Sequence, residues 1–392
     1  MSGKVTVIIP TYNRAKYLVA AVESVLSQTA SPHQVIVVND GSSDDTDRVI
    51  APYLNRIDYI RKENSGKAAS VNLALTKATG DYVWVFDDDD VALPHFIECQ
   101  IGLLDRDPTL GFTYSNFRFG HDRNGELVAG PINHMVDVPT DEILTNLLLA
   151  CFFPHTAALI RRRCYEDLGG LDTAQERSVD YEFLLRLARL SPGLGVARVT
   201  MIVRLHEGMR GSARTRHESG ERDRVHLAFD QMAFRKVCAN FDLADYLPRG
   251  EAAAPPEGRA RREALILKGV AMARRALWPE AIEAFNAAVS VTIAAPLSAR
   301  ERAYLVRLFA VPLALAELRP MRSEVRALRR LCGRSVLGVD KVLLVRGFYY
   351  GWVKDLRAGA WSRVVRNLGL LIYIVRVRGL LAAITSKLGK RA

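Results

Sequence analysis

The sequence predicts an α/β domain on a mostly parallel, twisted sheet, followed by an all-α region. Three observations carry this. Over the first 115 residues, short β-branched runs alternate with segments of helical period. Each run ends in a polar, loop-forming cluster. From about Val225 onward the strand pattern stops and only helical spacing remains. Strands separated by helices imply βαβ units, and such sheets gather ligands at the carboxyl ends of their strands.

Val5–Ile9 reads as the first strand, and Arg14 to Gln28 as a helix with apolar residues at Tyr17, Leu18, Ala21, Val22, Val25 and Leu26. Gln34–Val38 is the second strand. Ser42 or Ser43 is placed to cap a helix running through Asp44 and Asp45 to about Leu54. Ile57–Ile60 is a short strand, Asn64-Ser65-Gly66 a loop, and Lys67 to Lys77 a helix. Tyr82–Phe86 follows the turn Gly80-Asp81 and reads as a buried strand. Pro94 opens a helix to Asp105, and Gly111–Tyr114 is a further strand. Residues 115–140 read as polar and turn-rich. Helices are predicted over Asp141–Ala150, Arg161–Leu168 and Asp180–Leu190, and strands over Ala157–Ile160 and Val196–Val203. We divide the chain into residues 1–224 and 225–392, with a linker near 248–257. Gly269, Ala281, Phe285 and Ala288 have the spacing of a single tetratricopeptide unit, which we read only as a helical hairpin.

The 392 residues are 49% hydrophobic and 25% charged, an ordinary globular balance. The charge is uneven. Residues 251–392 hold 26 Lys and Arg against 10 Asp and Glu, whereas residues 1–250 are slightly acidic. The five cysteines are scattered without a C-x-x-C pair, which disfavours a zinc site and fits a reducing cytoplasm. Val5–Ile9 is too short for a secretory leader, and Leu368 to Ile384 is broken by Arg376 and Arg378, so no spanning helix is expected.

The chemistry gathers at Asp87-Asp88-Asp89-Asp90, directly after the buried strand. Adjacent carboxylates repel, and desolvation penalises each charge further. A hard divalent cation relieves both, and a solvated acidic turn is the plain alternative. Thr11–Arg14, Asp40–Ser42, Asn64–Lys67 and Asp87–Asp90 all follow strands and should open on one edge, which favours the metal site. No G-x-G-x-x-G follows the first strand, so a dinucleotide dehydrogenase is disfavoured.

Val7–Arg14 (VIIPTYNR), Val37–Thr46 (VVNDGSSDDT), the Asn64–Lys67 loop and Phe86–Pro94 (FDDDDVALP), in this order, resemble family 2 glycosyltransferases of the GT-A fold over about residues 4–210. The resemblance implies a metal-dependent transferase using a UDP-, GDP- or dTDP-sugar with Mn²⁺ or Mg²⁺. It places Pro10, Tyr12 and Arg14 in the nucleotide loop, with Tyr12 against the base and Arg14 toward phosphate. It makes Asp40 the base-reading carboxylate and sets Lys67 to neutralise diphosphate. Asp89 and Asp87 match the D-x-D, with Asp87 or Asp88 at the ribose or the metal's water shell. Ser178–Leu187 resembles the family's Glu-Asp segment, so Asp180 becomes the general base of an inverting transfer. Val179 stands where the family has Glu, which puts the acceptor contacts of that Glu in doubt. Glu182 is the alternative base, and His206, after Arg204-Leu205, is a further phosphate or metal contact. His155 has no comparable context and reads as structural.

The basic C-terminal half carries aromatics beside its arginines: Phe348, Tyr349, Tyr350, Trp352 and Trp361. That pattern suits a peripheral membrane surface, here the inner face of the cytoplasmic membrane, ahead of a subunit contact. No nucleic-acid module is present, so no nucleic-acid partner is expected. The acceptor implied is a glycan or lipid-linked glycan of a cell-surface polysaccharide or lipopolysaccharide. Two other classes compete. A nucleotidyltransferase would need a Gly-rich basic loop that Pro10–Arg14 does not supply. A non-catalytic nucleotide-sugar-binding protein would not need Asp87–Asp90 and Asp180 together.

Overall fold

In the computed structural model, residues 4–133, 138–205, 222–251, 255–291, 295–333, 341–357, 359 and 361–375 are described. The chain divides into two compact units, Met1–Leu147 with Cys151–Arg222, and Leu148–Ala150 with Asp223–Ala392.

The first unit is one nine-stranded sheet with helices against it. Its elements are β1 (Val5–Thr11), α1 (Ala15–Leu26), β2 (Gln34–Asn39), α2 (Thr46–Ile50), β3 (Asp58–Arg61), α3 (Lys67–Leu75), β4 (Tyr82–Val85), β5 (Val91–Ala92), α4 (Phe96–Arg106), β6 (Phe112–Arg123), β7 (Glu126–Asn133), α5 (Ile143–Leu149), β8 (Ala158–Arg161), α6 (Arg162–Leu168), α7 (Val179–Leu190) and β9 (Gly193–Leu205). The sheet order is β3-β2-β1-β4-β8-β6-β9-β5, with β7 on β6. β1 to β4 are mutually parallel, and β6 and β9 run with each other, while β5, β7 and β8 run against their neighbours. The mostly parallel α/β expectation therefore holds.

The core forms where β1, β2 and β4 bury both faces. Val7, Ile9, Val37, Trp84 and Phe86 are inaccessible, as are Leu18, Ala21 and Val22 of α1. Trp84 stacks on Phe96 with centroids 3.7 Å apart, and its indole N–H donates to the Thr156 carbonyl at 2.8 Å. One residue thus joins α4 and the segment before β8 to the strand that delivers the carboxylates. Pro10 lies beyond Ile8↔Val85, where the pairing with β4 has ended.

The structure corrects two local readings. β6 runs on to Arg123 and pairs with β7, where we read polar turns. Buried polar residues hid the alternation: Ser115 shares a hydrogen bond with Thr200 at 2.5 Å, and the Asn116 amide donates to the Ala197 carbonyl at 2.9 Å. The overlooked signal was Asn124-Gly125, with φ of 53° and 88°, a two-residue hairpin turn of primed type. The second correction concerns the start of α2. Asp44, and neither Ser42 nor Ser43, accepts from the Thr46 N–H at 3.1 Å, and the serines turn to the first loop instead.

The second unit contains α8 (Arg222–Cys238), α9 (Gly258–Ala273), α10 (Trp278–Ser290), α11 (Ala299–Val306), α12 (Pro312–Leu318), α13 (Arg322–Leu331), α14 (Lys341–Arg357) and α15 (Trp361–Val375). α9 and α10 form the expected hairpin. A Cβ on Gly269 would lie 2.5 Å from the Phe285 ring, so the close approach requires glycine there. The Arg262–Glu301 pair is buried and bidentate, at 2.6 and 2.9 Å. Among the described residues, no helix is long and apolar enough to cross a membrane.

Trp84→Phe keeps an aromatic ring against Phe96 but leaves the Thr156 carbonyl without its donor and part of the buried indole space empty. We expect a loss of about 1–3 kcal/mol, read from urea unfolding, with the far-UV spectrum unchanged.

Candidate functional site

The carboxyl ends of β1, β2 and β4 converge, and their loops are tied to one another. Asn13 sits at φ 53°; its N–H donates to Ser42 Oγ at 2.9 Å and its side-chain oxygen accepts from the Ser43 N–H at 2.8 Å. Asp44 accepts from the Ala15 N–H at 3.0 Å. The first two loops are therefore one hydrogen-bonded body, with Tyr12 half-buried upon it. Asp40 is 3% exposed. Its Oδ1 accepts from the Ser65 N–H at 2.9 Å and from Lys62, and its Oδ2 accepts from the Gly66 N–H at 2.8 Å. Asp40 thus shapes the loop that delivers Lys67.

The four carboxylates follow Phe86, which is fully buried. Arg14 Nη1 lies 3.6 Å from Asp89 Oδ2. Asp90 is 2% exposed and accepts from the Arg204 N–H at 3.0 Å, while Arg204 Nε donates to the Asp89 carbonyl at 2.8 Å. Arg204 also pairs with Asp122 and lies over the Tyr17 ring. Burial, with repulsion from Asp89, pushes Asp88 up to about 8. Burial also raises Asp87, against the pull of Lys67. Asp90 rises well above its ordinary range through burial and repulsion from Asp89 and Asp87. Such crowding is the condition that a divalent cation relieves. Carboxylate oxygens of Asp87, Asp89 and Asp90 lie within 4.8 Å of one another, so the donor set fits a hard, oxygen-seeking ion.

Lys67, at the start of α3, reaches between the cluster and α7. Its ammonium donates to Asp87 Oδ1 at 2.6 Å and to Asp180 Oδ2 at 2.8 Å. Burial opposes the Lys67 charge, but the two carboxylates outweigh it and raise the group above its ordinary value. Asp180 stands in the first turn of α7, and its other oxygen, Oδ1, lies 3.3 Å from His155 Nδ1. Burial raises Asp180, but Lys67 and His155 overcome this and hold it below the usual carboxylate range. Glu182 points elsewhere: it is 2% exposed and makes a bidentate pair with Arg186, both contacts at 2.7 Å. Val179 is buried.

Lys67 therefore joins Asp87 to Asp180, Arg14 pairs with Asp89, and the two groups adjoin where the Asp87 and Asp89 oxygens come within 4.8 Å; Asp40 joins through the Lys67 loop. His206 lies outside the described residues. Three residues take part beyond what the sequence assigned them, although Asp90 already stood in the acidic run and Arg204 in the Arg204-Leu205 segment. Asp90 is part of the possible ligand set, Arg204 fixes the cluster, and His155 touches Asp180. Arg204 had a weak signal, a charged residue closing an apolar strand. His155 had none, because its partners lie 25 and 10 residues away in the chain.

Residues 6–169 match the sequence profile described as Glycosyl transferase family 2. A chondroitin synthase of Escherichia coli is 30% identical over 191 residues, covering 48% of this chain and 27% of that protein. An uncharacterized glycosyltransferase of Haemophilus influenzae is 31% identical over 190 residues, covering 46% of this chain and 61% of its own. The chain thus spans less than two thirds of the length of either relative. Among solved structures, S. aureus TarS superposes with a TM-score of 0.51 at 16% identity, over 80% of this chain and 53% of that one. TarS 1-349 in complex with UDP-GlcNAc gives 0.50 at 16% identity, over 91% and 92%. The α/β unit has the GT-A fold.

The acidic cluster makes stability depend on pH. Asp88 holds its proton in the folded chain up to about pH 8 and loses it near pH 4 when unfolded. The folded state therefore binds more protons between these values, and stability falls as pH rises through that window. Asp180, held low, contributes throughout the window and loses its effect only below it. We expect the melting temperature of the metal-free chain to drop from about pH 5 to about pH 8, and millimolar Mn²⁺ or Mg²⁺ to restore it most at the alkaline end. Differential scanning calorimetry with and without EDTA reads this directly.

Proposed function

We propose that this chain, whose residues 6–169 form a family 2 glycosyltransferase domain, moves a sugar with inversion from a nucleotide-diphosphate sugar to a glycan or lipid-linked acceptor. The pathway we infer is synthesis of a cell-surface polysaccharide or lipopolysaccharide. Residues 1–224 are the catalytic part and residues 225–392 an accessory helical region. The observation that carries the reading is Lys67 bridging Asp87 and Asp180, because it joins a donor-side carboxylate to a candidate base.

Each residue has work of its own. Asp40 Oδ2 has one protein donor and, as a carboxylate oxygen, can accept a second, which suits the imide N–H of uracil, thymine or guanine. Tyr12 offers a face to the base, and Arg14 can turn from Asp89 to phosphate. A diphosphate arriving at Lys67 competes with Asp180 for the ammonium. Asp180 then loses its principal partner and becomes a stronger base for the acceptor hydroxyl. The new glycosidic bond forms as the bond to the diphosphate breaks, and the hydroxyl proton passes to Asp180. Mn²⁺ or Mg²⁺ held by Asp89 and Asp87, with Asp90 beside them, would supply Lewis-acid stabilisation of the leaving diphosphate.

The membrane reading rests on the second unit. Trp361 and Val365 of α15 are 65% and 66% exposed, on a chain segment (341–392) that carries eleven Lys and Arg against one acid. An anionic bilayer surface suits both features.

A panel of UDP-, GDP- and dTDP-sugars tests the donor class. One nucleoside diphosphate should be released, with release abolished by EDTA and by Asp89→Ala. Undiminished turnover in EDTA would remove the metal from the mechanism. Asp180→Asn should keep nucleotide binding and lose roughly 10²–10⁴-fold in kcat, whereas Glu182→Gln should chiefly cost stability. For the membrane surface, flotation of the full chain should succeed with phosphatidylserine vesicles at low salt. Equal binding to neutral vesicles, or none to either, counts against it.

A further inference from the structure

His155 is 1% exposed in a short turn before β8, yet both its ring nitrogens are engaged. Nδ1 faces Asp180 Oδ1 at 3.3 Å, and Nε2 lies 2.8 Å from the Tyr165 hydroxyl. An ionised carboxylate only accepts, so Nδ1 is the donor to Asp180 Oδ1, and Nε2 shares the second hydrogen bond with the Tyr165 hydroxyl. Tyr165 is itself locked, 1% exposed and stacked on Phe183 of α7 at 4.7 Å with an interplanar angle of 12°. Phe183 also lies 5.2 Å from the His155 ring. The relay begins and ends on α7: Asp180, His155, Tyr165, Phe183.

The two oxygens of Asp180 have different fates. Oδ2 faces Lys67, whose ammonium is the group an incoming diphosphate attracts. Oδ1 faces a buried, fixed imidazole that no ligand can reach. We propose that His155 is a positioning residue for Asp180: it anchors Oδ1 so that release of Oδ2 by Lys67 leaves the carboxylate oriented rather than free to rotate. This rests on Asp180 being the base. A filled core would need only an aromatic of this size at 155, with no hydrogen bond to the carboxylate and no phenol fixing the second nitrogen.

The test uses His155→Asn, whose amide N–H can replace Nδ1, and His155→Leu, which cannot donate. The groups facing Asp180 are Lys67 of α3, Asp87 after β4, His155, and Tyr165 of α6. Binding of UDP, GDP and dTDP with Mn²⁺, read by calorimetry, should be within about twofold of the parent for both variants. His155→Leu should lower kcat about 10- to 100-fold on the nucleotide-sugar that the panel identifies, with donor KM unchanged and the acid limb of the kcat profile displaced upward. His155→Asn should recover most of that loss. Carboxyl ¹³C titration, with Asp180 assigned through Asp180→Asn, should show the same order without any turnover: parent lowest, Asn next, Leu highest. A folded His155→Leu with parental kcat and an unmoved Asp180 titration overturns the proposal. So does a loss that Asn fails to restore, which marks His155 as core filling. Full transfer by Asp180→Asn would instead sink the base assignment, a separate result.

Discussion

Lys67 holds one ammonium between two carboxylates whose positions lie 20 and 113 residues away in the chain. Around it the molecule has gathered more negative charge than a partly buried pocket tolerates. Without a cation at that point, Asp87 and Asp180 would repel across the site, and the crowding that already lifts Asp88 and Asp90 would spread. The rest of the first unit serves this arrangement. Asp40 shapes the loop that ends in Lys67, Arg204 fixes the backbone of Asp89 and the side chain of Asp90, and His155 restrains the far oxygen of Asp180.

Under the proposed function, that arrangement would let an acidic site be at rest and active in turn. As it stands, Asp180 is a weak base because it is well paired. A group that draws Lys67 away strengthens it, and the natural candidate is the anionic part of a donor. Binding and base strength would then be linked through one side chain, with no large movement required. The cost of desolvating the carboxylates is met locally by Lys67, Arg14 and Arg204.

The site was legible in the sequence where chemistry lies in consecutive residues. VIIPTYNR, VVNDGSSDDT and FDDDDVALP each join a buried strand to the polar loop that follows it, so type and place can be read together. Lys67 and Asp180 were legible through order. Their meeting was not, since nothing local states which oxygen of Asp180 faces Lys67. His155 was read as structural because a histidine beside Pro154 and Thr156 has no pattern of its own. The β6–β7 hairpin was missed for a related reason. Ser115 and Asn116 look like loop residues until β9 supplies Thr200 and the Ala197 carbonyl as partners.

By itself the sequence determined the alternation of strands and helices, the edge on which the polar loops open, and the identity of the carboxylates. These follow from hydrophobic period and from the covalent neighbours of each residue. Only the tertiary structure decided how the charges are shared: Lys67 between two acids, Glu182 turned to Arg186, Asp90 joined to Asp87 and Asp89, and His155 set behind Asp180. The reason is physical. Electrostatic partnership depends on distance and desolvation in the folded chain, and those are set by how strands far apart in sequence pack side by side.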